Sequence, residues 1–231
     1  MTVIDIINES TTVTDEQVHQ TASSIQVQLF RDLAKPWNTE SIHLNPLTKG
    51  AQPDGTHWWI VITDTSDVAN ALGYHELSAT GMPLGKVFPG TCKTDGISWT
   101  VDFSHETLEM AIDPNCNQAA QNEDGTFWAY EVGDPVESDA SGYLIDKVLV
   151  SDFVYPAFFV AGATGQMSHQ HNVTTPFTLA AGGYASTFDM NANGWTQIFG
   201  DEAAKAKTPG HRRNTRAILP KDRKKSTVAF I

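Results

Sequence analysis

The spacing of apolar residues among polar ones near the start of the chain predicts an amphipathic helix. Thr14 and Gln17 have the spacing of a capping box, in which two side chains satisfy backbone N–H groups at a helix N-terminus. The apolar residues that recur after them at helical spacing are Val18, Ile25, Leu29 and Leu33. Pro36 closes the pattern because its ring nitrogen carries no hydrogen to donate. We therefore expect a helix over about 15–34.

Short runs rich in β-branched and aromatic residues predict strands. These runs lie near 41–44, 57–63, 84–87, 127–132 and 143–150. Residues 99–112 instead place their apolar side chains on one helical face, and Asp113-Pro114 ends that pattern. Residues 152–195 are rich in Gly, Pro, Thr and aromatic residues and predict loops with short strands. Strands and helices without regular βαβ alternation predict an α+β fold.

Composition and length narrow the class of protein. The chain has 231 residues, of which 40% are hydrophobic and 10% aromatic, so it can build a core and is not disordered throughout. No apolar run approaches the roughly 18 residues of a membrane helix, and no basic segment followed by an apolar one marks a secretory leader. Phosphate-binding loops, nucleophile elbows and dinucleotide fingerprints are also absent from the sequence. We expect one domain over 1–200.

Charge is distributed unevenly along the chain. Residues 1–200 hold 6 Lys and Arg against 24 Asp and Glu, whereas residues 201–231 hold 9 against 3. An acidic body of this kind will not bind nucleic acid over its general surface, because the phosphate backbone is also negative. Residues 201–231 form a basic C-terminal arm that predicts docking on a neighbouring chain or self-association, with nucleic acid bound only through 205–225 if at all. The alternative is a solvated tail.

The segment 104–114 carries the candidate chemistry. A zinc-protease helix of the HExxH type places two metal ligands one turn apart and a general base directly after the first. Here His105 and Glu106 take the first two positions, and Glu109 stands where the second histidine would be. Glutamate oxygen is an ordinary zinc ligand. Asp113 lies a further turn along, where the helix is expected to stop.

The same residues also allow a purely structural interpretation. In it, His105 is a hydrogen-bonded helix residue, Glu106 and Glu109 are solvated, and Asp113 caps the turn before the proline. Composition and spacing alone leave both interpretations open, because short HExxE matches occur by chance in amphipathic helices.

Other reactive side chains carry weaker signals. His169 and His171 would point to one face if they lay on a strand, as metal ligands often do, but in a loop they would be exposed polar residues. His75 is expected at the surface. Cys92 and Cys116 are either joined by a bridge or remain two small buried thiols.

The complete string of residues 104–114, Ser-His-Glu-x-x-Glu-x-x-x-Asp-Pro, is more specific. It resembles the signature helix of a zincin-like metallopeptidase family found in bacteria and phages. The likeness continues in the segments 71–76, 83–88, 130–137, 142–143 and 150–159. It covers roughly residues 55–200 and leaves the N-terminal helix and the basic arm outside.

The resemblance implies a zincin-like α+β domain with a small mixed sheet packed on the signature helix and an irregular β-rich C-terminal part. It also implies that His105 and Glu109 are metal ligands and that Glu106 is the general base that activates a water at the metal. The protein would then be a metal-dependent peptidase acting on a peptide or protein substrate.

A third metal ligand must come from outside the signature helix, since the chain lacks the histidine extension of many metalloproteases. Glu131 or Asp134 is the best candidate, with Asp113 behind them. Zinc is the preferred ion, although an oxygen-rich site also suits calcium or manganese. An anionic glutamate in place of the second imidazole makes a bound metal a less potent Lewis acid.

Two functions therefore stand side by side. The first is the metallopeptidase. The second is a structural or assembly protein, for example a phage virion component, that keeps a catalytically silent zincin-like fold and docks through its basic arm. Either protein would act without a membrane partner and would be cytoplasmic or virion-associated.

Overall fold

Five strands from the first part of the chain form a mixed sheet. The computed structural model describes residues 1–68, 71–188, 190 and 194–201. The five strands are β1 (Thr2–Asn8), β2 (Ile42–Pro46), β3 (Trp58–Ile62), β4 (Gly73–Leu77) and β5 (Pro83–Val87). Their order is β2-β1-β3-β5-β4. All pairs are parallel except β4 with β5, so β4 is the one antiparallel strand of this sheet and lies at its edge.

Helices connect and cover these strands. They are α1 (Asp15–Val27), a π-helical segment (Gln28–Leu33), α2 (Ala34–Trp37), α3 (Pro89–Asp95) and α4 (Trp99–Ile112). The predicted capping box is confirmed, because Thr14 accepts a hydrogen bond from the backbone N–H of Gln17 and the Gln17 side chain accepts one from that of Thr14. The predicted helix over 15–34 is wrong in two respects. It changes to π-helical pairing after Val27, and it continues through Pro36 until Asn38 breaks it with a left-handed φ of 48°.

The main core lies between this sheet and the helices on one of its faces. Ile4 and Ile6 of β1 belong to one buried cluster with Ile25 of α1 and with Phe103 and Leu108 of α4. The alternate positions of the sheet face the other way, where a small second cluster contains Ile7, Val61 and Leu84. The sheet therefore has buried apolar residues on both faces, and α4 packs against its strands β4 and β5.

The second half of the chain adds shorter strands. The four strands β6 (Ala119–Gln121), β7 (Phe127–Ala129), β10 (Tyr184–Phe188) and β11 (Trp195–Phe199) form an antiparallel sheet in the order β11-β10-β7-β6. A hairpin of β8 (Tyr143–Ile145) and β9 (Val148–Val150) stands apart from it. The predicted strand over 127–132 is thus shorter than expected. The one over 143–150 is interrupted by a turn at Asp146 and Lys147, both of which have positive φ.

These elements confirm the expected α+β class. In the part of the chain that the structure describes, no helix combines the length and apolar character needed to cross a bilayer. The predicted basic arm over 201–231 lies outside the described residues, apart from Asp201.

Candidate metal centre

The signature helix α4 brings the candidate ligands to the sheet. It packs against β4 and β5, and its predicted bounds, 99–112, are confirmed. Gly85 of β5 permits this close approach, because a Cβ atom there would lie 2.8 Å from the Met110 sulfur of α4. Nearly every side chain of α4 is buried, including the charged ones. The expectation that Glu106 and Glu109 are solvated is therefore wrong.

One group of potential ligands surrounds His105. Its Nε2 atom lies 3.0 Å from Oε1 of Glu109, one turn further along α4, and 3.2 Å from Oδ1 of Asp134. Asp134 begins a short 3-10 turn that follows β7. The backbone N–H groups of Gly133 and Asp134 both donate to Glu109 Oε1, at 3.2 and 3.3 Å. The loop after β7 therefore supplies the candidate ligand Asp134, and its backbone N–H groups also hold the carboxylate of Glu109 in place.

Gly133 leaves room for the His105 ring because it has no side chain. A Cβ atom at Gly133 would lie 2.5 Å from Nδ1 of His105 and 2.7 Å from its Cε1. Such distances are far below van der Waals contact, so any side chain here would displace the imidazole. The position accepts only glycine while the ring remains where it is.

A second group surrounds His75, which lies on β4. Its Nδ1 atom is 3.5 Å from Oε2 of both Glu106 and Glu109, and its Nε2 atom is 3.6 Å from Oε2 of Glu131. Glu131 follows β7, two residues after its end. The ligand atoms of His75, Glu109 and Glu131 all lie within 4.8 Å of one another. Glu109 therefore belongs to both groups.

His75 is the site residue that sequence reasoning missed. We expected it at the surface, and the structure buries it in the strand next to α4. The residues of β4, Gly-Tyr-His-Glu-Leu, give no apolar alternation that would reveal a strand. The sequence feature that could have pointed to His75 is its position in the segment 71–76, which is part of the resemblance to the zincin-like family.

Burial makes the electrostatics of this centre unusual. The residues of both groups are no more than 6% exposed. Burial, together with repulsion from Glu109, raises the pKa of Asp134 to about 7, and His105 opposes that shift. Burial also raises the pKa of Glu131 well above its usual value, with repulsion from Glu109 as the next cause. Without a cation, the ionised forms of these carboxylates are disfavoured where they lie.

The spacing of the ligand atoms suits a transition-metal ion. Two ligands at about 2.0–2.2 Å from a tetrahedral ion are separated by about 3.3–3.6 Å. The nitrogen-to-oxygen distances around His75 are 3.5–3.6 Å, and those around His105 are 3.0 and 3.2 Å, slightly shorter than such edges. The buried His, Glu and Asp side chains could therefore hold a metal ion.

Asp113, the remaining predicted ligand, forms hydrogen bonds in the turn after α4. Its carboxylate accepts hydrogen bonds from the backbone N–H groups of Asn117 and Gln118, at 3.1 and 3.0 Å. Neither ligand group found among the described residues includes it. Asp113 thus orders the turn that follows α4, as the structural interpretation of this residue expected.

The weaker candidates lie away from the centre. His169 stacks on Phe153, and its Nδ1 atom is 3.0 Å from the Tyr155 hydroxyl. His171 is exposed, and neither histidine belongs to a ligand group found among the described residues. Cys92 and Cys116 are buried thiols, and no disulfide joins them.

No known relative emerges for this chain. Comparisons with protein-family models, with curated proteins and with solved structures each found no match. The likeness to zincin-like proteins accordingly stays a resemblance in motif, and function is inferred from the geometry of the centre itself.

Proposed function

We propose that this chain is a zincin-like metal-binding protein whose ion is held by His105, Glu109 and Asp134. The observation that supports this is the convergence of one imidazole nitrogen and two carboxylate oxygens, all buried, at 3.0–3.2 Å. Mixed nitrogen and oxygen ligands in small number favour zinc, with manganese as the next choice. Calcium prefers six to eight oxygen ligands and fits less well.

Elemental analysis of the purified full-length chain tests this assignment. We expect stoichiometric zinc in the native protein, and loss of the ion held by His105 in His105→Ala. His19→Ala is the matched control, because His19 is exposed on α1 and far from the ligands in sequence. A native protein that holds no ion after loading with zinc or manganese would contradict the proposal.

Hydrolysis is the activity that this centre would support most directly. When bound, the ion would act as a Lewis acid toward a carbonyl group. Glu106 is the residue that would take a proton from the attacking water, since its carboxylate is buried beside His75 and one turn before Glu109. The acceptor atom would be Oε2, which faces the centre.

Glu106→Gln separates catalysis from metal binding. A general base contributes about 10²–10⁴-fold, so we expect peptide hydrolysis to fall at least 100-fold while the ion held by His105 remains bound. Glu123→Gln, a change of the same chemistry in an exposed loop, should leave the rate unaltered. Equal rates in the native protein and in Glu106→Gln would remove Glu106 from the mechanism.

Burial of the centre favours a second candidate function. No ligand residue is more than 6% exposed, and a surface cavity of about 290 Å³ lies elsewhere, at Asp64 and Thr91 among others. A substrate would reach the ion only if a segment that covers the centre moved. The ion would otherwise be a structural clamp in an assembly protein, in which case native protein with full metal content would hydrolyse no peptide.

A further inference from the structure

The carboxylate of Glu109 lies between the two imidazoles of the centre. Its Oε1 atom is 3.0 Å from His105, and its Oε2 atom is 3.5 Å from His75. Each imidazole has a further acid of its own, Asp134 for His105 and Glu131 for His75. Each imidazole therefore lies beside Glu109 and one further acid, and Glu109 is common to both groups.

We propose that the centre binds two divalent transition-metal ions bridged by Glu109. The first ion is the one assigned above to His105, so the inference rests on the proposed function. The second is held by His75, Glu131 and the Oε2 side of Glu109, with Glu106 next to it. Bridged pairs of ions about 3.5–4 Å apart are a recurrent arrangement in metalloproteins, and a carboxylate with one oxygen on each side can span that separation.

The distances around His75 support an ion there. Hydrogen bonds from nitrogen to oxygen are usually 2.7–3.2 Å long. Nδ1 of His75 lies 3.5 Å from Glu106 and from Glu109, and Nε2 lies 3.6 Å from Glu131, so all three contacts are longer than hydrogen bonds. An imidazole binds an ion through one of its nitrogens, and one nitrogen of His75 lies within 4.8 Å of carboxylate oxygens of Glu109 and Glu131, so these three residues could hold an ion.

The charge of the buried cluster supports the same number of ions. Four carboxylates converge on the centre, from Glu106, Glu109, Glu131 and Asp134. When ionised they carry four negative charges, and buried charges need compensation nearby. Two divalent ions with both imidazoles neutral would cancel that charge completely, whereas with one ion two of the carboxylates would have to be neutralised by protons.

Three backbone segments supply the ligands of the centre. Glu106 and Glu109 are three residues apart on α4, so they share a helical face. His75 reaches that face from β4, and the segment after β7 supplies Glu131 and Asp134 from the other side. Helix α4 supplies the bridge, the segment after β7 contributes to both ligand groups, and β4 supplies the imidazole of one group.

Titration of the metal-free full-length chain with Mn²⁺, followed by electron paramagnetic resonance, tests the inference. We expect two ions per chain and the broadened spectrum of two coupled Mn²⁺ ions. Single variants His75→Ala and Glu131→Gln should each bind one ion and give the six-line spectrum of isolated Mn²⁺. His19→Ala should behave as the native chain does.

The outcomes separate this inference from the proposed function. One ion per native chain, with an uncoupled spectrum, would overturn the two-ion centre and leave the ion at His105 in place. No bound ion would overturn both. Because the count in the native chain decides the question, a variant that fails to fold does not affect the result, and circular dichroism identifies such a variant.

Discussion

Removing the bound metal is expected to lower the melting temperature of the native protein by roughly 8–16 °C. An ion that binds only the folded state stabilises it by about 4 kcal/mol when its free concentration is 1,000 times the dissociation constant. For domains of 150–250 residues, each 1 kcal/mol shifts the melting temperature by about 2–4 °C. The buried carboxylates of Glu109, Glu131 and Asp134 also repel one another once the cation has gone.

Differential scanning calorimetry of the full-length chain, before and after dialysis against a chelator, measures this effect. Adding zinc back should restore the original melting temperature. His105→Ala is the informative variant, because it lacks one of the two imidazoles and should respond less to the chelator than the native protein. If elemental analysis shows that the ion has left and the melting temperature has not moved, the centre does not stabilise the fold.

The helix that carries the motif was predictable because its sequence contains enough information locally. Fourteen residues from Trp99 to Ile112 repeat apolar side chains at helical spacing, and Asp113-Pro114 supplies a clear stop. The capping box at Thr14 was equally predictable, since it depends only on two residues that are three positions apart. Local signals of this kind do not require knowledge of what packs against them.

Strands β1 and β4 were not predicted, for two different physical reasons. In β1 the residues Ile6 and Ile7 are both buried, one on each face of the sheet, so the sequence does not alternate. In β4 the polar residues His75 and Glu76 are both buried, His75 facing α4 and Glu76 facing the opposite side of the sheet. The burial of β4 depends on tertiary structure and could not be predicted locally, whereas β1 is rich in β-branched residues that favour a strand and was missed because its pattern does not alternate.

The candidate centre was predicted in part. Sequence pattern and resemblance indicated Glu131 and Asp134 as alternatives for a single position, and the structure brings both to the centre, beside different imidazoles. The sequence offered Glu131 and Asp134 as alternatives for one ligand group. The structure has two groups, because strand β4, which the sequence pattern did not reveal, supplies a second imidazole. His75 lies 30 residues before His105, and only the folded sheet brings them together.

Metal-free and metal-loaded protein are expected to show opposite dependence of stability on pH. In the metal-free chain the pKa of Asp134 is about 7, against 3.8 for an ordinary aspartate. Between about pH 4 and pH 7 the folded state therefore holds a proton that the unfolded state has lost. The free energy of unfolding should fall across this window by roughly 1.4 kcal/mol per pH unit for each such proton, and level off above it. Glu131, whose pKa is also raised, acts in the same direction.

The metal-loaded protein reverses this sign, because the ion binds the ionised carboxylates and must compete with protons. Its stability should rise over the same pH range. Asp32 and Asp64, whose pKa values are lowered, affect stability only below this window, so they do not mask the effect. Urea unfolding at several pH values, with chelator or with zinc, measures both slopes. In Asp134→Asn the metal-free slope should flatten, and a metal-free native chain that grows more stable from pH 4.5 to 7 would show that these carboxylates are not held protonated by their burial.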